Sequence, residues 1–168
     1  MNGRKTMICN IKKITNADFK IDSIFSELSF LRTEYPDFYT WFYDKVVSGL
    51  SDNSRKIFLA STPLSFGKVN GVLILKNTLS EKKICTLYVD DDSRRNGIGQ
   101  KFMDVAFNEL NTDKPLITVS DNRLKDFDRL LNKFNFESVD ALPDYYADNH
   151  TEYTFNGHLY LPESVKYA

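Results

Sequence analysis

The sequence predicts an α/β chain in which four helices flank a central mixed β-sheet of about six to seven strands. Three observations predict it. Short apolar strand-like runs alternate with amphipathic helical stretches, several of the runs follow one another through short polar turns, and one helix crosses between two runs. Direct succession implies antiparallel neighbours and the crossover implies a parallel pair, so the sheet is mixed. The 168 residues suit one domain over 1–168, with a core of about residues 7–156 and a polar C-terminal tail.

Met7-Ile8-Cys9-Asn10-Ile11 reads as the first strand. Thr15 with Asp18 three residues on resembles a capping box, and Ile21, Ile24, Phe25, Leu28 and Leu31 fall on one helical face. A second helix follows Pro36, with Phe38, Trp41, Phe42 and Val46 on a stripe and Gly49 near its stop. Phe38, Trp41 and Phe42 are core by this spacing. Strands are expected at Ile57-Phe58-Leu59-Ala60, Val69 to Leu75 and Ile84 to Val89, the last two joined by the polar loop Lys76 to Lys83. Ile98, Phe102, Val105, Ala106 and Leu110 mark a third helix, Pro115 to Val119 a strand, and Leu124, Phe127, Leu130, Leu131 and Phe134 a fourth helix. Phe136 to Val139 and Tyr153-Thr154-Phe155 read as closing strands around a loop from Asp140 to Thr151.

Composition excludes several classes of function. Twenty-two Lys plus Arg against 23 Asp plus Glu gives a net charge of −1, so no global field draws the chain to nucleic acid or to an anionic membrane. No run approaches the roughly 20 apolar residues of a membrane span, and Met1 to Lys5 leads into no signal-like stretch; the expectation is a cytoplasmic protein without a membrane partner. Cys9 and Cys85 lie in apolar runs, as reduced core thiols do. His150 and His158 have no spacing that suits zinc, and Asp90-Asp91-Asp92 lacks the spacing of a calcium loop, so no metal is expected.

The segment that carries chemistry runs from Leu87 to Phe102: a strand, a polar turn with Arg94 and Arg95, then Asn96-Gly97-Ile98-Gly99-Gln100 opening an amphipathic helix. Glycines at a helix start let backbone N–H groups converge on an anion, and the helix dipole adds partial positive charge. A nucleoside-triphosphate loop needs Ser or Thr after the lysine, where Phe102 follows Lys101. A dinucleotide fingerprint needs glycine at that same position. A shorter diphosphate loop remains.

Arg94-Arg95-Asn96-Gly97-Ile98-Gly99 resembles the acyl-coenzyme A pyrophosphate loop of the GNAT acetyltransferase superfamily, whose pattern is Arg or Gln, two variable residues, Gly, any residue, then Gly or Ala. The element order over residues 7 to 156 is similar to that superfamily's fold. The resemblance implies acetyl-CoA as co-substrate. Main-chain groups of Leu87, Tyr88 and Val89 would hold thioester and pantetheine, N–H groups of Arg95 to Gly99, with Gln100 beside them, the pyrophosphate, and Arg94 would stand at the first motif position. Asp91 stands where many members have Pro, and Arg95 where many have Gly. A second motif, in which a Tyr hydroxyl protonates the leaving thiolate, fits less well. Leu131 falls on the Tyr and Leu124 on an Asn, with Asn122 two residues earlier as a further cofactor contact.

Replacement acids are Ser120, Tyr145 and Tyr146, or the thiolate leaves unassisted, as its reference pKa of about 8.5 allows. A base, or a desolvating pocket, must deprotonate an acceptor amine whose pKa is near 10.4. Glu81 and His150 are candidates, together with Glu34, Asp90 and Glu152; no single one stands out. The expected activity is acetyl transfer to a primary amine by direct attack in a ternary complex. Small-molecule and protein amines both qualify as acceptors. The alternatives are a catalytically weak acyl-CoA sensor and an enzyme acting on an RNA-linked amine. Homodimerisation through a sheet edge stays open.

Overall fold

The computed structural model describes residues 8–15, 20–63 and 68–159. Seven strands form one sheet: β1 (Asn10–Ile14), β2 (Arg55–Ser61), β3 (Gly71–Asn77), β4 (Lys82–Val89), β5 (Leu116–Ser120), β6 (Ser138–Pro143) and β7 (Thr151–Phe155), in the spatial order β1-β2-β3-β4-β5-β7-β6. The helices are α1 (Ile21–Glu27), α2 (Phe38–Thr40), α3 (Ile98–Leu110) and α4 (Leu124–Lys133). All neighbouring strands are antiparallel except β4 and β5, which α3 joins as a crossover.

Two apolar layers cover the sheet. Phe58, Leu73, Leu75, Ile84, Ile117 and Val119 meet Phe102, Met103, Ala106 and Leu131 of α3 and α4 on one face. On the other, Ile57, Leu59, Val72 and Ile74 meet Ile24, Leu28, Phe38, Phe42 and Val46 of the α1/α2 region. The alternation along β2 and β3 is the period of two expected of strands buried on both faces. In β4 it breaks. Ile74 pairs with Thr86 and Leu75 with Ile84, so Cys85 is an extra residue, a β-bulge. Ile84 therefore shares the α3/α4 face with Leu87 and Val89, while Cys85 and Tyr88 lie on the α1/α2 face.

β4 and β5 pair only at Lys83 with Leu116 and Ile84 with Ile117. Beyond those pairs β4 runs on to Val89 and β5 to Ser120 without bonding each other, so the sheet forks. The far arm carries an unusual face. Opposite Val119, Tyr153 and Phe155 stand Thr118, Ser120, Glu152 and Thr154, polar residues of which the last three are buried.

Several boundaries differ from the sequence expectations. The first strand is displaced to Asn10–Ile14, because pairing with β2 places Ile14 in the core, and Ile8 is left exposed; Met7 lies outside the described residues. The capping box expected from Thr15 and Asp18 also falls there in part. Helix one stops at Glu27 and continues as a 3₁₀ turn, Ser29–Thr33, which takes in Leu31. Helix two is α-helical only over Phe38–Thr40 and then widens into a π-helix, Trp41–Val47, followed by a 3₁₀ turn around Gly49. β3 and β4 invade the expected 76–83 loop, leaving a tight turn closed by the Thr78 N–H on the Glu81 carbonyl at 3.1 Å. The Phe136 to Val139 strand begins at Ser138, since Phe136 turns into the α3/α4 core, and β6 takes residues 140–143 from the expected loop. Among the described residues no helix is long and apolar enough to cross a membrane.

Phe102 has no exposed surface and sits at the centre of the α3/α4 layer. Phe102→Ala is expected to cost about 3–5 kcal/mol of stability, measured by urea denaturation.

Candidate active site

One bank of the fork is the turn from β4 to α3. Ser93 is buried at its base, where its hydroxyl donates to Asp90 Oδ2 at 3.1 Å and accepts from Asn70 Nδ2 at 2.8 Å. Asn70 Oδ1 in turn accepts the Thr62 N–H at 3.0 Å, and the Asp90 N–H bonds the Asn70 carbonyl at 2.9 Å. The turn is thereby fastened to the strand beside it before it reaches the glycines. Neither Asn70 nor Ser93 was expected from the sequence; their signal lies in contacts across more than 20 residues, which no local pattern shows.

Arg95 and Gly97 both adopt left-handed backbone, at φ 63° and 81°. Such alternation turns successive N–H groups toward a common point. α3 then starts with no side chain capping it, so its first N–H groups, which have no carbonyl within the helix to bond, remain for a ligand. A β-carbon at Gly97 would meet no atom within 4 Å: the space in front of the helix is open, and it is φ that calls for glycine there. At Gly99 the same carbon would face Leu130 at 3.6 Å, so this residue packs α3 against α4.

Arg94 is tied down. Its Nε donates to the Val89 carbonyl at 3.2 Å, and its guanidinium lies 3.1 Å from Asp91 and 3.7 Å from Asp126. The two carboxylates cancel much of its charge toward an anion. Arg95 is exposed, with no carboxylate within ion-pair range among the described residues. Asn96 donates to the Ser93 and Arg94 carbonyls. Beside the turn, Leu87, Tyr88 and Val89 are half-buried, and their main chain borders the fork on the side where β5 has left.

The opposite bank is built of side chains. Glu152, on β7, is 4% exposed. The Tyr35 hydroxyl donates to both its oxygens, at 3.3 and 3.4 Å, and Thr118 is a further hydrogen-bond partner. Burial raises the carboxyl of Glu152 above its ordinary value, while Thr118, the Lys83 charge and Tyr35 oppose the shift. Glu34 receives Arg123 through Nε at 2.9 Å and Nη2 at 2.8 Å. The same guanidinium lies 5.2 Å over the Phe30 ring, which packs on Tyr88. Segment 30–35 thus touches β4 through Phe30 and β7 through Tyr35, reaching across both arms.

Tyr145 and Tyr146, from the β6–β7 connection, stack edge-on at 4.5 Å, and Tyr146 meets Tyr35 at 5.4 Å. Tyr146 is 40% exposed, and its hydroxyl has Thr118 as a hydrogen-bond partner and the Glu152 charge nearby. Burial first and the Glu152 charge second raise the Tyr146 phenol well above its ordinary value; burial also raises Tyr145. Both keep their protons at neutral pH.

Of the residues singled out from the sequence, Leu87 to Val89 and Arg94 to Gln100 line one bank, and Ser120, Tyr145, Tyr146, Glu34 and Glu152 gather on the other. The Ser120 hydroxyl lies 3.5 Å from Glu34 Oε2. Glu81 is paired with Lys76 at 2.8 Å, in the turn at the foot of β4. His150 and Asn122 meet just beyond the end of β5: His150 Nδ1 lies 3.0 Å from Asp121 Oδ1 and 3.4 Å from the Asn122 amide, tying the β6–β7 connection to that strand end. The hydrogen bond from His150, with the Thr151 N–H, holds Asp121 below the usual carboxylate range. Asp90 is occupied by Ser93 and Lys68. Leu131, at the position of the expected phenol, is buried in the α3/α4 core. Tyr35 and Lys83 were not among the expected site residues.

This topology is the GNAT fold. The chain superposes on an acetyltransferase of the GNAT family from Bacillus cereus with a TM-score of 0.64 at 12% identity, covering 88% of this chain and 95% of that one. It superposes on Ard1 from Thermoplasma volcanium at 0.62 and 21%, covering 88% and 95%. An aminoglycoside 6'-N-acetyltransferase complexed with coenzyme A gives 0.62 at 13%, covering 92% and 99%. No family model matches the chain, and no curated protein matches it in sequence.

Removing the anchor at the base of the turn leaves the Asn70 amide and the Asp90 carboxylate short of a buried partner. Ser93→Ala is expected to lower stability by about 1–3 kcal/mol in urea denaturation and to speed hydrogen exchange at Arg94 to Gly97.

Proposed function

We propose that the chain is an acetyl-CoA-dependent N-acetyltransferase that acetylates a primary amine by direct attack. The observation that carries this reading is the pairing across one fork of an uncapped, glycine-opened helix start with a buried carboxylate whose hydrogen-bond partners fix its position.

Acetyl-CoA would supply the activated acetyl group. The N–H groups from Arg95 to Gly99, with Gln100 next along α3, suit its pyrophosphate, and Arg95 adds a charge that no carboxylate in the described residues cancels. The free edge of Leu87, Tyr88 and Val89 suits an extended amide-bearing chain, as an added strand would. An N–H near Tyr88 or Val89 meets the oxygen that becomes negative as the amine adds.

Glu152 acts as the base. An alkylammonium with a pKa near 10.4 is deprotonated in only about one molecule in a thousand at pH 7, and a carboxylate raised by burial takes its proton more readily than an ordinary one. Tyr35 and Thr118 hold the carboxylate on one rotamer facing the acceptor. Tyr146 and Tyr145, protonated and beside it, are the donors for the leaving thiolate, with Ser120 the third candidate. Cys85 and Cys9 do not compete as nucleophiles, since burial raises both thiols and keeps them protonated. Transfer then needs no covalent enzyme intermediate.

Leu131 at the usual acid position favours a second reading, an acyl-CoA sensor without turnover. Thiol release from acetyl-CoA with a broad amine panel separates the two, and silence with coenzyme bound would overturn the transferase reading.

Gly97→Trp is expected to abolish acetyl-CoA binding in calorimetry while the protein stays folded, since the space it enters belongs to the ligand; unchanged affinity would refute the turn's role. Glu152→Gln should lower kcat by about 10²–10⁴ with acetyl-CoA affinity unaltered. Because the folded-state carboxyl lies above its unfolded value, its ionisation costs stability as pH rises through that folded value. The Glu152→Gln protein is therefore expected to melt no lower than the wild type at pH 7, read by calorimetry.

A further inference from the structure

Three carboxylates, Glu34, Glu81 and Glu152, and four cations, Arg123, Lys76, Lys83 and Arg55, stand on or near the polar face of the fork, and several of them cancel. Glu34 is held by Arg123 at 2.8 Å and Glu81 by Lys76 at 2.8 Å. What remains is Glu152, 4% exposed, Lys83, 9% exposed, and Arg55, which stands two strands away on β2 and also acts on Cys85. Lys83 belongs to β4 at its last pairing with β5, and its side chain leaves the sheet on the same face as Cys85. Its side chain stands on the face that carries Cys85 and, across β5, Thr118 and Glu152, and its charge acts on Cys85, Tyr145 and Glu152. Among the described residues no carboxylate comes within ion-pair distance of it and no hydrogen-bond acceptor engages it. Its stem is buried, while its ammonium, unpartnered yet not sealed from solvent, is placed where a ligand can reach it.

We propose that Lys83 binds a carboxylate on the acceptor, so that the substrate is a zwitterion of the amino-acid type: its amine is delivered to Glu152 and its carboxylate to Lys83. This rests on the reading of Glu152 as the base. This face then presents one carboxylate and one ammonium that no ion pair engages, the complement of such a molecule. It opposes a polycation, for which the unpaired ammonium is repulsive. Tyr145, Tyr146 and Tyr35, packed edge-on, put aromatic surface beside the two charges, which suits an acceptor with an apolar or aromatic side chain.

The test uses the full chain and matched pairs: leucine against isoamylamine and tyrosine against tyramine. Each is titrated by calorimetry with coenzyme A present, and each is assayed for acetyl-CoA-dependent thiol release. Wild type is expected to prefer the amino acid in each pair by about ten- to a hundredfold, the range of one charge-assisted hydrogen bond. Lys83→Met should erase the preference and Lys83→Arg should largely restore it. Amines that bind as well as their amino acids, or a preference that survives Lys83→Met, would overturn the proposal. So would a loss in Lys83→Met that is equal for both members of a pair, because it marks Lys83 as a partner of the fold or of Glu152 alone. A binding preference without thiol release from any amine would leave this pocket assignment standing and overturn the transferase reading instead.

Discussion

The structure depends on the brief contact between β4 and β5. Two residue pairs hold the parallel strands together before they part, and the extra residue Cys85 in β4 lies at the point of parting. Bulges sharpen local twist and bend the bulged strand. A straight, fully paired β4 would have spent its outer edge on β5 and closed the sheet. The bulge also reverses the side-chain parity of β4, so that Leu87 and Val89 stay in the α3/α4 core while Tyr88 faces the α1/α2 side and meets Phe30. One inserted residue thus preserves the core and opens the sheet.

The banks of the fork solve opposite electrostatic problems with different materials. On the proposed reading the β4–α3 turn favours negative charge, and it does so with backbone: N–H groups of an uncapped helix, beside left-handed residues and steadied from below by Asn70 and Ser93. Side chains contribute less than their number suggests, since Arg94 is shared between two aspartates. The β5–β7 arm has to hold an ionisable carboxylate out of water, and it uses side chains from four separate segments, with Tyr35 donating to Glu152 and Arg123 neutralising Glu34. The cost is a polar layer where the rest of the sheet has an apolar one.

The turn was legible in the sequence because its chemistry is local. Gly97, Gly99 and the helix after them lie within a few residues of one another, and the φ of Gly97 follows from a requirement that few other residues meet. Strand and helix order was legible for the same reason, through periodicity. Boundaries were less so: β1 shifted because its register is decided by β2, and the start of β6 moved because Phe136 found a place in the core. The contact of His150 with Asp121, 29 positions apart, was likewise invisible to any local pattern.

By itself, then, the sequence determined the order of elements, the mixed sheet and the glycine-flanked turn, since each arises from patterns within a dozen residues. The other bank was decided only by the tertiary structure. Glu152 gains its meaning from Tyr35, 117 positions away, and Glu34 meets Arg123 across 89. Residues so distant become neighbours only when the sheet order places β7 beside β5. A carboxylate's burial, and hence its proton affinity, is a property of that neighbourhood and not of the chain around it.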